Sequence, residues 1–286
     1  VSKITGDKTG VALLNSEVQL SVLSGNETQP LTTTQSSEAT PGEDKLTVDT
    51  SVVYATYSLI ADQCNFLVNL GGVLLLPKHV VFRDVSATVH GEVGGVEHLT
   101  VTGSSNVYFH AEGQTTGAAS AGLYEFVDFQ ADGVAVVHML APYAPTTSKT
   151  VLSTSLDMTF GQSSQLLFTG RFEMVTPQSV SIGASVVFDG NAGGWPQNGY
   201  DPACTPGVGF AGGAYGGSTA SNGANVGGQA CGSYRFPSQA GNGGMFTYAN
   251  VAGAGGGALR VQAAMLTLDG VVRVNGGDAV VQACNT

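Results

Sequence analysis

Residues 180–190, VSIGASVVFDG, form a unit of two short segments with apolar residues at alternate positions, separated by a Gly-Ala-Ser corner. Such alternation is typical of β-strands that bury one face. Four more units repeat it, beginning at Leu99, Val127, Leu156 and Leu266. A strand–corner–strand unit that recurs every roughly twenty to thirty residues is typical of a solenoid with stacked coils. The chain is therefore predicted to be all-β, with a right-handed parallel β-helix as its architecture.

A β-sandwich is the alternative, because it also contains many short strands with turns between them. Hairpin dipeptides of the Asn-Gly or Asp-Gly type are sparse in this chain, and the five units resemble one another. Both observations favour the solenoid over the sandwich.

Residues 1–45 differ from the rest of the chain. Residues 11–14 and 18–22 alternate weakly and are predicted to be two short strands. Residues 24–45 contain one large apolar residue, Leu31, so burial cannot offset their ordering entropy and a loop or linker is expected. These features predict a short β segment with a polar linker over 1–45 and a β-solenoid domain over 46–286.

Residues 190–257 are rich in glycine but also carry many aromatic residues, which a disordered linker would lack. Glycine allows backbones to approach closely, so extended, polyglycine-II-like passes can pack against one another under aromatic side chains. This segment is predicted to be a packed flank of the solenoid. Its aromatic residues are Trp195, Tyr200, Phe210, Tyr215, Tyr234, Phe236, Phe246 and Tyr248.

Spaced glycine motifs continue from this segment towards the end of the chain: GGQACGS at 227–233, GNGG at 241–244, GAGGGAL at 253–259, LTLDG at 266–270 and VNG at 274–276. With GGVLLLP at 71–77 and VGGVEHLTV at 93–101, this string resembles the glycine-rich β-helix segment of very large extracellular proteins of protists, algae and oomycetes. Cys231 stands where that pattern has Tyr. The resemblance implies a cell-surface or matrix location and a structural or adhesive role, including that of a surface filament such as a flagellar hair.

The charge of the chain excludes some partners. Only 11% of residues are charged and the formal net charge is −11, so no basic stripe is available for nucleic acid. The longest apolar cluster, at 73–77, has the length of a strand, so no membrane insertion is expected. Four cysteines and the glycosylation acceptor Asn26 favour a secreted or cell-surface glycoprotein.

The cysteines predict one bridge within the chain. Cys204 and Cys231 would close a loop of about 28 residues, which stabilises by about 3–4 kcal/mol. Cys64 and Cys284 fall at opposite ends of the predicted solenoid, on the order of 40 Å apart if about eight coils stack at ~4.8 Å. They are expected to be free or joined between subunits placed head to tail.

Residues 207–217, GVGFAGGAYGG, contain the pattern G-x-G-x-x-G of dinucleotide-binding loops. Such a loop needs a preceding strand and a following helix, whose N-terminus binds the phosphates. Here Pro202 and Pro206 precede the glycines and more glycine follows, so no cofactor is expected.

Many parallel β-helices are polysaccharide lyases or hydrolases, so an enzyme of this kind is a further, less favoured alternative. Glycoside hydrolysis uses paired carboxylates, whereas the aspartates of this chain are scattered singly. A lyase would need an Arg or Lys base near a calcium-binding acidic cluster, and Arg171, Arg260 and Arg273 have no such cluster beside them in the sequence. The chain is therefore predicted not to be an enzyme and to have no catalytic residues.

The five histidines lack close ligand spacing and are interpreted as solvent-facing strand residues, not metal ligands: His79, His90, His98, His110 and His138. Oxygen ligands from Asp189-Gly-Asn191 or Asn275-Gly-Gly-Asp278 would suit calcium. Turn formation explains the same residues equally well, so no metal site is predicted.

The resemblance implies an extracellular structural protein, and the low charge favours one that self-assembles or packs against other matrix proteins. The alternative is an adhesive module that binds carbohydrate. In that module Trp195, Tyr200 or Tyr215 would stack on sugar rings.

Overall fold

The computed structural model of the chain describes the backbone of eight strands between residues 11 and 75, and then residues 78–90, 92–110, 121–141, 149–196, 240–244 and 253–277. Regular structure in these residues is entirely β-strand, without a helix. Accordingly, this part of the chain has no helix that could cross a membrane.

In the described residues, twenty-five strands form four sheets. The nine-stranded sheet contains β1 (Val11–Leu14), β4 (Lys45–Asp49), β7 (Asn65–Val68), β10 (Ser86–Val89), β13 (Asn106–His110), β16 (Val136–Leu140), β19 (Gln165–Thr169), β22 (Val187–Asp189) and β25 (Val271–Arg273). The eight-stranded sheet contains β3 (Leu31–Thr34), β6 (Leu59–Asp62), β9 (His79–Arg83), β12 (His98–Thr102), β15 (Asp128–Ala131), β18 (Met158–Phe160), β21 (Ser179–Ile182) and β24 (Met265–Leu268).

The other two sheets have four strands each. The first four-stranded sheet contains β2 (Glu17–Leu20), β5 (Val52–Ala55), β8 (Val73–Leu75) and β11 (Glu92–Gly94). The second four-stranded sheet contains β14 (Ala121–Phe126), β17 (Lys149–Thr154), β20 (Arg171–Val175) and β23 (Ala258–Gln262).

Each strand in these sheets pairs with a strand three positions before or after it in the chain. The chain therefore visits a nine-stranded, a four-stranded and an eight-stranded sheet in turn and then returns to the first. The described pairs are parallel throughout, as in β13 with β16, β15 with β18 and β17 with β20. Parallel neighbours require a crossover connection, and here the crossover consists of strands of the other two sheets.

The core lies between the nine-stranded sheet, the eight-stranded sheet and the second four-stranded sheet. Residues in the same register position of adjacent strands are buried together, as in Val137, Leu166 and Phe188 of the nine-stranded sheet. Aromatic contacts join the sheets: Phe160 meets Phe188 at a centroid distance of 4.7 Å, and Phe168 meets Phe172 at 5.7 Å. Such pairs stabilise beyond their buried area.

Corners between the eight- and nine-stranded sheets also repeat. Gly103 and Gly133 follow β12 and β15 with φ of 67° and 71°, a conformation that side chains disfavour. The Asp84 carboxylate accepts a hydrogen bond from the backbone N–H of Ser104 at 2.6 Å, which links successive corners.

The five predicted strand–corner–strand units are confirmed as strands: β12 with β13, β15 with β16, β18 with β19, β21 with β22, and β24 with β25. The two short strands predicted before residue 23 are also confirmed as β1 and β2. The polar linker expected over 24–45 contains the strand β3, which corrects that expectation locally. Strands of residues 1–45 pair with strands beyond residue 45, as β1 does with β4, while the boundary at residue 46 stays a prediction.

Glycine passes pack closely where residues 190–196, 240–244, 253–257 and 274–277 meet. Gly194 N–H donates to Gly255 O at 2.8 Å, Gly255 N–H donates to Trp195 O at 2.8 Å, and Gly241 N–H donates to Gly256 O at 2.8 Å. A Cβ on Gly255 would lie 1.8 Å from the Gly241 oxygen. The described parts of the glycine-rich segment are thus held by backbone hydrogen bonds, with glycine required where the passes touch.

Candidate functional site

The C-terminal edge, defined as β23, β24 and β25, is the end of three sheets. Every residue of β24 and β25 is exposed. Leu266 and Leu268 are 48% and 49% exposed, although they stand in register with the buried residues Val180 and Ile182 of β21. Core positions are open to solvent at this end because no further strand covers them in the described part of the chain.

The opposite ends of these three sheets are β1, β3 and β14, and β2 ends the first four-stranded sheet. Edge strands present unpaired backbone N–H and C=O groups that can pair with another chain. Because the pairing is parallel, a strand that continues the nine-stranded sheet beyond β25 would run in the direction of β1. The two ends are therefore complementary in strand direction.

A charged cluster lies on the second four-stranded sheet. Glu173 occupies an outward position of β20, between the core residues Phe172 and Met174, yet its side chain is only 3% exposed. Lys149 on β17 places its Nζ 2.7 Å from Glu173 Oε2. The Arg171 guanidinium donates to Glu173 Oε1 through Nε at 2.9 Å and also through Nη2, and Arg260 Nη1 on β23 lies 3.7 Å from the same oxygen.

The register of the sheet creates this cluster. Arg260 pairs with Glu173 across β23 and β20, although the two residues are far apart in the sequence. Burial opposes ionisation of Glu173, but the hydrogen bonds from Lys149 and Arg171 outweigh it and hold the pKa of its carboxyl below the usual range. Glu173 is therefore a carboxylate at neutral pH, and it forms ion pairs with Lys149, Arg171 and Arg260.

Histidines form stacked pairs on the outer faces of the sheets. His79 stacks on His98 at a centroid distance of 4.4 Å, and His90 stacks on His110 at 3.9 Å. The His98 Nδ1 atom contacts a carboxylate oxygen of Asp128 on the next strand. These contacts follow the register, and among the described residues no group of three or more His, Cys, Asp or Glu could hold a metal ion.

His138 is half-buried on the nine-stranded sheet, beside residues of β13. Its ring stacks on Tyr108 at 3.9 Å, and its Nε2 atom lies 2.8 Å from Asn106 Oδ1. Burial, together with the charge of His110, lowers the pKa of His138 to about 4. The ring is therefore neutral at physiological pH.

The two segments considered for calcium meet in the structure through turn contacts. Within the first segment, Asp189 Oδ1 accepts a hydrogen bond from the backbone N–H of Asn191 at 2.8 Å. Between the two segments, Asn191 Oδ1 accepts a hydrogen bond from the backbone N–H of Asn275 at 2.8 Å. Side-chain oxygens that cap turns in this way explain these residues without a cation. Asp278 lies outside the described residues.

Most of the other predicted site residues lie outside the described residues: Cys64, Cys204, Cys231, Cys284, Asn26, Tyr200 and Tyr215. Trp195 lies within them. It is partly exposed, and its backbone joins the glycine passes through Gly241 and Gly255. The disulfide, glycosylation and sugar-stacking assignments stay predictions.

Known protein families, curated proteins and solved structures were compared with this chain, and none of the three comparisons gives a match. Inference about function therefore rests on the chain's own sequence and geometry.

Proposed function

We propose that this protein is an extracellular structural protein that assembles end to end with copies of itself in a cell-surface filament or matrix. The observation that carries the proposal is the C-terminal edge, where Leu266, Leu268 and Val272 occupy core register but are 37–49% exposed. Exposed core positions beside unpaired strand edges favour addition of further strands.

The architecture proposed is a right-handed parallel β-helix with a glycine-rich packed flank. The return of the chain to each sheet after three strands supports a solenoid. Parallel pairing argues against the β-sandwich, whose sheets are antiparallel. Right-handedness follows from the general rule for crossovers between parallel strands, which holds in nearly all proteins.

A second copy is the occupant that fits the C-terminal edge best. Its β1, β2 and β3 would extend the three sheets that end at β25, β23 and β24. An added copy would exchange hydrogen bonds along three strands and cover the exposed leucines at once. Contacts between unlike ends generate open filaments when the rotation that relates neighbouring copies does not close them into a ring. This matches the surface-filament role implied by the resemblance to glycine-rich β-helix segments.

The extracellular, non-enzymatic part of the proposal rests on the sequence. Four cysteines and the acceptor Asn26 support secretion, and the small share of charged residues leaves an outer surface that neighbouring molecules can cover. Other matrix proteins are the second class of partner proposed.

The test compares the chain with the double variant Leu266→Lys/Leu268→Lys. Sedimentation and negative-stain microscopy over a range of concentrations should show end-to-end species for the natural chain. The variant should associate at least about 100-fold more weakly, because two apolar side chains no longer become buried at the junction. Circular dichroism checks that both proteins are folded.

The matched control is Thr159→Lys/Ser181→Lys, which adds the same charge at outward positions of β18 and β21, the two strands of the eight-stranded sheet that lie inside the edge strand β24. It should assemble like the natural chain. A natural chain that stays monomeric at every concentration, or an edge variant that assembles normally, would show the proposal to be wrong.

A further inference from the structure

The cluster around Glu173 holds more positive charge than its carboxylate can balance. One carboxylate neutralises one cation, but Lys149, Arg171 and Arg260 all converge on it. The cluster therefore carries a surplus of two positive charges. The whole chain has a formal net charge of −11 and only 10 Lys and Arg residues, so the concentration of three of them here is exceptional.

Such a cluster is costly unless another anion joins it. Like charges held within a few ångströms of one another repel, and partial burial weakens the screening by water. The buried carboxylate fixes the positions of the three cationic groups but compensates only one of them. An anion placed against the same groups would relieve the remaining repulsion.

The cationic side chains remain accessible. Arg260 is 55% exposed, Lys149 is 31% exposed and Arg171 is 21% exposed, whereas Glu173 lies beneath them at 3%. The described contacts use Nε and Nη2 of Arg171, and its Nη1 group has no partner among the described residues. Guanidinium groups bind the oxygens of carboxylates and sulfates through paired N–H groups.

We propose that Lys149, Arg171 and Arg260 bind the carboxylate or sulfate groups of an acidic polysaccharide. The three residues stand on the successive strands β17, β20 and β23, which are about 4.8 Å apart, so a linear polyanion lying across the strands can contact all of them. Glu173 is a positioning residue that orients the cations. The binding site lies on the outer face of the second four-stranded sheet and reaches the C-terminal edge at Arg260, which stands on β23.

The test measures binding of polygalacturonate, which carries carboxylates, and of dextran sulfate, with neutral dextran as the uncharged reference. Binding is measured by isothermal titration calorimetry at low and at physiological salt. The acidic remainder of the surface repels both polyanions, so attraction must come from local cations. Arg260→Ala is expected to weaken binding at least about 10-fold and to reduce its salt dependence.

Lys78→Ala is the matched control, because it removes the same charge from an exposed one-to-one pair with Glu97 on the eight-stranded side. It should leave binding unchanged, while Arg260→Lys should retain part of it. Binding of only one polymer identifies the anionic group and supports the site. The proposal is overturned if neither polyanion binds at low salt, if neutral dextran binds equally well, or if Lys78→Ala and Arg260→Ala weaken binding equally.

Discussion

Two threonines of β17 show how much a single hydrogen bond decides at the scale of the residue. Thr150 and Thr154 are both buried, at 0% and 4% exposure. The Thr154 hydroxyl donates to Leu156 O at 2.9 Å, whereas the Thr150 hydroxyl has no partner in the described part of the chain. A buried hydroxyl without a partner costs free energy, while a satisfied one contributes modestly.

Replacing each threonine by valine should therefore change stability in opposite directions. Thr150→Val is expected to raise the free energy of unfolding by about 1 kcal/mol, because it removes an unsatisfied hydroxyl from the core. Thr154→Val is expected to lower it by about 1 kcal/mol, because it removes one of the two hydroxyl hydrogen bonds to the Leu156 carbonyl, the other of which comes from Thr176. Urea unfolding measures both, and equal losses in the two variants would contradict the assignment.

At the scale of the element, the sequence predicts strands where one face is buried and the other is wet. The strands of the five repeated units alternate in burial, as β12 and β13 do, and their period is visible in the residues. β17 and β20 do not alternate in burial in this way, because the outward residues Val151 and Glu173 are buried as well. Residues 171–174 of β20 still alternate between polar and apolar, so the burial of Glu173 is not visible in the sequence.

The contact of Arg260 with Glu173 could not be predicted from the sequence either. Arg260 and Glu173 are neighbours only because β23 returns to the sheet after the whole glycine-rich segment. Sequence spacing says nothing about that register. By contrast, the close backbone contacts between glycine passes were predictable, since many glycines and aromatics together indicate packing and not a flexible linker.

These passes make a sharp prediction about glycine. Gly255→Ala should destabilise the protein by about 3 kcal/mol, because its Cβ would overlap the Gly241 oxygen and neither backbone can move without breaking hydrogen bonds. Gly276→Ala is the matched control, since its Cβ would approach the Ala254 oxygen only to 3.1 Å. Urea unfolding should show a clearly smaller loss for Gly276→Ala, and similar losses would show that close packing at Gly255 is not the cause.

At the scale of the whole molecule, the parallel sheets make the two ends different. In the described part of the chain one end presents β1 and the other presents β25, so the proposed end-to-end association would have a direction. A molecule that is damaged at the C-terminal edge retains its other end. In the proposed assembly it would therefore add to a growing filament through that other end, and no further molecule would add at its damaged edge.

The variant Leu266→Lys/Leu268→Lys should consequently shorten assemblies of the natural chain when it is mixed in at a small fraction. One variant molecule per ten natural ones is expected to limit the mean length to about ten copies if each variant ends one assembly. Electron microscopy of the mixtures measures the length distribution, and the Thr159→Lys/Ser181→Lys control should leave it unchanged. Side-by-side association would respond differently, because a molecule in a lateral array has several neighbours and no single variant can end growth. Lengths that do not depend on the fraction of the edge variant would therefore refute directional assembly through the C-terminal edge, even if the natural chain forms large particles.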